Sequence, residues 1–152
     1  MAKPGLHLKT NCIVCGPATH TRRGHGGKRA DIRNGMYFRS SWEANYARYL
    51  TWLMENRQIE NWEYEIDTFE FTEIKKGSRF YTPDFLVYNC DGTTEYHEVK
   101  GYMDARSLTK INRMKKYYPN IKLVLIDKKT YYSIFKTISS LIPGFEGKIR
   151  MH

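Results

Sequence analysis

The chain has 152 residues, of which 41% are apolar and 14% aromatic, and a net charge of +9. At ~100–200 residues per domain this is one domain with room for a small appendage. The aromatic content excludes wholesale disorder, three cysteines exclude a disulfide scaffold, and no apolar run approaches the ~18–20 residues of a membrane span. Nothing near Met1 has the form of a signal peptide, so a soluble, cytoplasmic protein is expected.

The charge is uneven. Residues 1–39 hold eight basic side chains against Asp31, and residues 100–150 hold twelve against three acids. Between Glu55 and Glu73 seven acids face Arg57 alone. Basic ends around an acidic middle suit a protein that grips phosphate at its flanks and holds cations at its centre. The plainer alternative is the solvated surface of a basic protein.

Residues 1–35 show almost no apolar periodicity and are punctuated by Pro4, Pro17 and six glycines, so alone they cannot bury a core. They contain Cys12-x2-Cys15-x4-His20-x4-His25. Two thiolates and two imidazoles are the donors of a tetrahedral structural Zn²⁺ site, and a metal would order such a segment. The spacing is similar to a zinc knuckle, although a knuckle usually ends in cysteine. His7 or Cys90 is an alternative fourth ligand, and a flexible basic tail with incidental Cys and His is the other reading. Arg22, Arg23, Lys28, Arg29 and Arg33 are placed to contact phosphates without reading sequence. The expected organisation is a small zinc-binding element at 1–35 and an α/β domain at 36–152.

From Ser40 the pattern changes. Ser40 and Glu43 have capping-box spacing, and Trp42, Tyr46, Tyr49 and Leu53 mark one face of a helix over about 41–57. Trp62, Tyr64 and Ile66 alternate with acids in a half-buried strand. Residues 80–88 read as a bulky strand in which Pro83 withholds a ladder donor, implying an edge or bulge. Asp91-Gly92 marks a hairpin turn, and residues 94–100 form the returning strand. Asp104 caps a helix to about Tyr117, with Leu108, Ile111 and Met114 inward and Arg106, Lys110 and Arg113 forming a basic face. Residues 121–126 read as a central strand buried on both faces, and 128–141 as a last helix with Tyr131, Ile134, Phe135 and Ile138 inward. The fold class is α/β, a mixed sheet flanked by helices in the order α-β-β-β-α-β-α.

The strands around the hairpin carry the sharpest signal. Residues i and i+2 of a strand share a face, so Glu98 and Lys100 project together while His97 and Val99 point the other way. The hairpin can bring Asp84 beside Glu98. Two carboxylates and a lysine are costly to bury together, and a hard divalent cation resolves the conflict. Such a cation polarises a phosphoryl oxygen and acidifies bound water, and a lysine stabilises charge developing on phosphate. As separate pieces, an acid and a lysine at i, i+2 are ordinary strand charges.

Tyr81-Thr82-Pro83-Asp84-Phe85 followed by Glu98-Val99-Lys100-Gly101 resembles the PD-(D/E)xK nuclease superfamily. The element order over about 40–127 is similar too. The resemblance implies a restriction-endonuclease-like core, with Asp84, Glu98 and the Val99 carbonyl as ligands of Mg²⁺ or Mn²⁺ and Lys100 as the lysine of the site. Many members add an acid from the preceding helix, and Glu43 matches that position as well as it matches a helix cap. The small size is similar to phage-type endonucleases, which implies action inside a bacterial or infected cell and branched or otherwise structured DNA among the substrates. Three functions follow: a metal-dependent DNA endonuclease, a non-catalytic zinc-dependent nucleic-acid-binding module, or an RNA nuclease. A symmetric junction would need two active sites, so a homodimer is expected on that reading.

Overall fold

The computed structural model describes residues 26–148. The described residues fall into two compact units that divide after Ala44. The division falls later than the composition shift at 35 because β1 (Gly27–Arg29) pairs antiparallel with β2 (Met36–Phe38). Their connection turns on Ile32, whose carbonyl accepts from the N–H groups of Gly35 and Met36. Arg33, Asn34 and Gly35 all have positive φ there. The hairpin sets Lys28 opposite Tyr37, both exposed, with exposed Arg33 at the turn.

Helix α1 (Ser41–Glu55) starts in the first unit and continues into the second. The second unit is built on a four-stranded mixed sheet in the order β3 (Asn61–Tyr64), β6 (Phe85–Tyr88), β7 (Thr94–Lys100), β8 (Leu123–Asp127). The first three strands are antiparallel and β8 runs parallel to β7. Helix α2 (Ala105–Tyr117) makes the crossover that a parallel pair requires, and α3 (Lys128–Ile138) ends in a 3₁₀ turn at Ser139–Leu141. A separate ribbon pairs β4 (Phe69–Glu70) with β5 (Phe80–Tyr81). The architecture is therefore mixed α/β, a mixed sheet with three flanking helices. No helix among the described residues is long and apolar enough to cross a membrane.

The alternation of β7 sorts the core into two sides. On the His97 side, Tyr46 of α1 packs at a tilt against Phe85 and His97, and Trp62 packs edge-on to Phe85 and donates to Thr51. Tyr49 meets Phe135 there, bringing in α3. On the Glu98 side, Phe69 lies against Tyr96, and Phe71, Tyr81 and Met114 form a cluster joining the ribbon to α2.

Several elements differ from the sequence expectation. The strand over 80–88 is two strands, because Pro83 interrupts the ladder and lets the chain leave one sheet and enter another. β8 is an edge strand, and Leu123, Val124 and Leu125 are only half-buried. Leu108 is exposed, leaving Ile111 and Met114 as the buried residues of α2. Residues 43–48 of α1 are all buried, so its burial is not confined to one face.

Candidate metal centre and its surroundings

Phe85 pairs with His97, and the same register continued by one residue sets Asp84 opposite Glu98. Both carboxylates are buried, Asp84 to 1% exposure and Glu98 to 4%. Asp84 Oδ2 accepts from the Val99 N–H at 2.7 Å, so the carboxylate is tied to the backbone of the facing strand beside Glu98. The Asp84 carbonyl accepts from Glu65 N–H at 2.8 Å, which fixes the backbone just after Pro83.

Glu98 is gripped at both oxygens. Tyr81 donates its hydroxyl to Oε2 at 2.8 Å, and Lys100 Nζ lies 3.1 Å from Oε1. Burial, and then the Glu98 charge, push the Tyr81 phenol well above its ordinary range, so it remains a donor. Lys100 is half-buried, at the rim of this group. The expected trio of Asp84, Glu98 and Lys100 is thus assembled, and Tyr81 joins it. Tyr81 stands three residues before Asp84, which by strict alternation would face away. The break at Pro83 restores it to the same side.

On the opposite side of β7, His97 Nδ1 lies 2.7 Å from Tyr46 Oη and Nε2 lies 2.8 Å from Glu95 Oε1. Burial holds His97 below its ordinary value, so a neutral ring accepts from Tyr46 and donates to Glu95. Lys122 closes the chain at 2.6 Å from Glu95. This network positions β7 from behind.

Glu43 completes a cap. Its N–H donates to Ser40 Oγ at 3.1 Å, Ser40 donates back to Oε1 at 3.0 Å, and Arg39 N–H donates to Oε2 at 3.2 Å. The Ser40 half of the capping box read from the spacing is present, while the Glu43 carboxylate reaches the N–H of Arg39, one residue before the cap. Yet Glu43 is only 8% exposed, and a cap works equally well at the surface, so capping does not account for the burial.

The basic residues divide. Arg106 is exposed and Lys110 half-exposed, but the Arg113 guanidinium donates to the Ser78 carbonyl and holds the turn before β5. Lys28 and Arg33 are exposed and Arg29 half-buried. Cys12, Cys15, His20, His25, His7, Arg22 and Arg23 lie outside the described residues. Cys90 is exposed, with its thiol 3.5 Å from the Arg57 carbonyl. Among the described residues no three His, Cys, Asp or Glu side chains form a group that could hold a metal ion. The side chains that could hold a cation are the Asp84–Glu98 pair, whose hard oxygens are of the type that Mg²⁺ or Mn²⁺ takes, one or two carboxylates with water and phosphate completing the shell.

Residues 24–134 match the family described as Protein of unknown function (DUF1064). The chain belongs to this family. No curated protein matches it. The DUF1064 match contains Glu43, Asp84, Glu98 and Lys100, whereas Cys12, Cys15 and His20 precede it.

Proposed function

We propose that this DUF1064 chain is a metal-dependent endonuclease that hydrolyses DNA phosphodiester bonds at a PD-(D/E)xK-type site. One observation carries the reading: two buried carboxylates, Asp84 just before β6 and Glu98 on the neighbouring β7, oppose each other with Lys100 at their rim. The succession α1, β3, β6, β7, α2, β8, α3 supports a restriction-endonuclease-like core, with the β4–β5 ribbon as an insertion. In the non-catalytic reading Asp84, Glu98 and Lys100 make a surface ion pair, and the burial of both acids weighs against it.

Asp84, Glu98 and the Val99 carbonyl would hold the cation. When bound, it would polarise a phosphoryl oxygen and lower the pKa of a bound water. The protein's own groups do the rest. Val99 N–H and the Tyr81 hydroxyl fix the two carboxylates, so little reorganisation is left for the reaction. Glu98 aims the Lys100 ammonium, which offsets charge on the phosphate or orients the attacking water. Labelled DNA and RNA incubated with Mg²⁺ or Mn²⁺ test the reading. DNA cleavage abolished by chelator is expected; cleavage of RNA alone moves the substrate class, and cleavage of neither leaves a binding module.

Glu43→Gln examines the helix carboxylate. The amide oxygen can still accept from Arg39 N–H, so melting near wild type is expected. A buried carboxylate that strengthens cation binding makes the variant need more Mg²⁺ and cut at least ~10-fold more slowly, about 1.4 kcal/mol. Normal cleavage at normal Mg²⁺ would leave Glu43 a helix cap only.

For DNA affinity the exposed cations matter. Arg106→Ala and Lys110→Ala should each reduce the salt slope of log K by ~0.9 per lost phosphate contact. Arg113→Ala should leave the slope unchanged and loosen the turn at 76–79, because its guanidinium is engaged by Ser78. Binding titrations over a salt series measure all three, and unchanged slopes throughout would make the α2 face a bystander.

The N-terminal donors Cys12, Cys15, His20 and His25 fit structural Zn²⁺ by type and spacing. Elemental analysis of protein purified without chelator should give about one zinc per chain, lost in Cys12→Ser or Cys15→Ser. A zinc-free wild-type protein would refute this.

A further inference from the structure

Lys100 serves two neighbourhoods. Besides pairing with Glu98, it lines a cavity of about 570 Å³ together with Tyr102, Met103, Lys128, Lys129 and Tyr132. That volume lies in the ~300–1,000 Å³ range of ligand sites. The one acid at the cavity, Asp127, accepts from Thr130 N–H at 2.8 Å as the cap of α3. Lys100 is held by Glu98, and exposed Lys128 and Lys129 bring positive charge to the edge of a largely apolar lining. Tyr102 is 81% exposed, the most exposed large hydrophobic side chain among the described residues. It caps nothing and fills no core position.

Exposed aromatic rings beside lysines are how proteins hold single-stranded nucleic acid, with bases stacking on rings while cations follow the phosphates. A base within a duplex has both faces covered by its neighbours and cannot stack on a side chain unless it leaves the helix. Because the cavity and the carboxylate pair share Lys100, the cavity adjoins the proposed cleavage site.

We propose that this cavity receives an unpaired nucleotide next to the cleaved phosphate, its base against Tyr102 and Tyr132 and its phosphate on Lys128 and Lys129. The proposal rests on the nuclease reading of Asp84 and Glu98, and it names the substrate class: DNA with an unpaired or readily extruded nucleotide beside the cut. Met103 supplies an adaptable apolar wall that accepts any base, so the selection is for structure rather than sequence.

Binding of the full-length protein to two DNA duplexes in buffer without Mg²⁺ or Mn²⁺, and without chelator, tests the cavity without requiring cleavage. One duplex is fully paired, and the other carries a single-nucleotide bulge. The bulged duplex should bind about tenfold tighter, about 1.4 kcal/mol. Tyr102→Ala should bring the ratio to within about twofold without weakening the paired duplex, and Tyr102→Phe should retain it, because stacking needs only the ring. Tyr102 is solvent-exposed, so neither substitution touches the core. Equal binding of the two DNAs by wild type, or a preference that survives Tyr102→Ala, overturns the cavity proposal even if Mg²⁺ drives cleavage. A Tyr102-dependent preference in a protein that cuts neither DNA nor RNA supports the cavity and overturns the nuclease reading.

Discussion

Asp84→Asn should reduce Mg²⁺-dependent DNA cleavage by at least ~10³-fold while the protein still folds and binds DNA. The magnitude reflects several kcal/mol of charge stabilisation lost with a cation ligand, and ~4 kcal/mol corresponds to ~10³ in rate. Asn is the informative replacement because its amide oxygen can still accept from Val99 N–H, the 2.7 Å bond that ties β6 to β7. Asp84→Ala removes that acceptor and leaves a buried N–H unsatisfied, at a cost of ~1–3 kcal/mol, so its inactivity would mix folding with chemistry. Lys100→Ala should be similarly inactive, but it takes the ammonium from the buried Glu98 carboxylate, so its melting curve must be read beside its rate. DNA affinity should persist in both if, as proposed, it comes from the exposed cations of α2 and the β1–β2 hairpin rather than from these side chains. Rates are compared at saturating Mg²⁺ with melting curves as the folding control. A well-folded Asp84→Asn variant cutting at the wild-type rate would remove the nuclease assignment.

The parts of this site that a sequence displays are those governed by local rules. β7 occupies Thr94–Lys100 as its alternation predicts, and its two-residue period alone puts Glu98 and Lys100 on one side and His97 on the other. The caps at Ser40 and Asp104 are legible for the same reason, since capping links residues three apart. What escaped depends on partners far along the chain. Tyr81 reads from sequence as part of one strand over 80–88, with no role of its own; its bond to Glu98 follows from the break at Pro83 and a contact spanning 17 residues. Arg113 looked like a phosphate contact at helical spacing, but Ser78, 35 residues away, claims it. The run at 121–126 looked central because it is apolar, whereas its position in the sheet is set by which strand pairs with β7 and by nothing beyond. The resemblance to PD-(D/E)xK nucleases drew on Asp84, Glu98 and Lys100 as a motif, and their juxtaposition is what the fold supplies.

Asn45 was missed for the same reason, and it should be among the most sensitive positions for stability. It is 1% exposed in α1, immediately before Tyr46, in a stretch read from sequence as an ordinary helix face. Its side chain works in four directions. Nδ2 donates to Tyr131 Oη at 2.9 Å and to the Glu146 carbonyl at 2.8 Å, while Oδ1 accepts from Glu146 N–H at 2.8 Å and from Arg48 at 3.1 Å. The paired bonds to Glu146 N–H and C=O make the amide imitate a strand partner, and an Arg48–Glu146 ion pair at 2.8 Å reinforces them. One side chain thereby fastens the segment after the 3₁₀ turn to α1 and, through Tyr131, to α3. Asn45→Ala removes all four bonds and takes this partner from the buried Tyr131 hydroxyl and the part-buried Glu146 backbone. At ~1–3 kcal/mol for each unsatisfied buried group, with partial relaxation of the terminal segment, the loss should be ~3 kcal/mol. For a chain of this size that lowers Tm by ~6–12 °C. Asn45→Asp keeps Oδ1 for Glu146 N–H and Arg48 but withdraws both donors, so it should recover only part of the loss. Because Asn45 precedes Tyr46, whose hydroxyl holds His97 behind β7, loosening here should also disturb the strand that carries Glu98 and Lys100. Thermal melts of the two variants, with hydrogen exchange at the Glu146 amide, measure both effects. A Tm within 2 °C of wild type for Asn45→Ala, at roughly 2–4 °C per kcal/mol, would mean that the terminal segment is held by the apolar contact of Phe145 with Phe135 rather than by the amide.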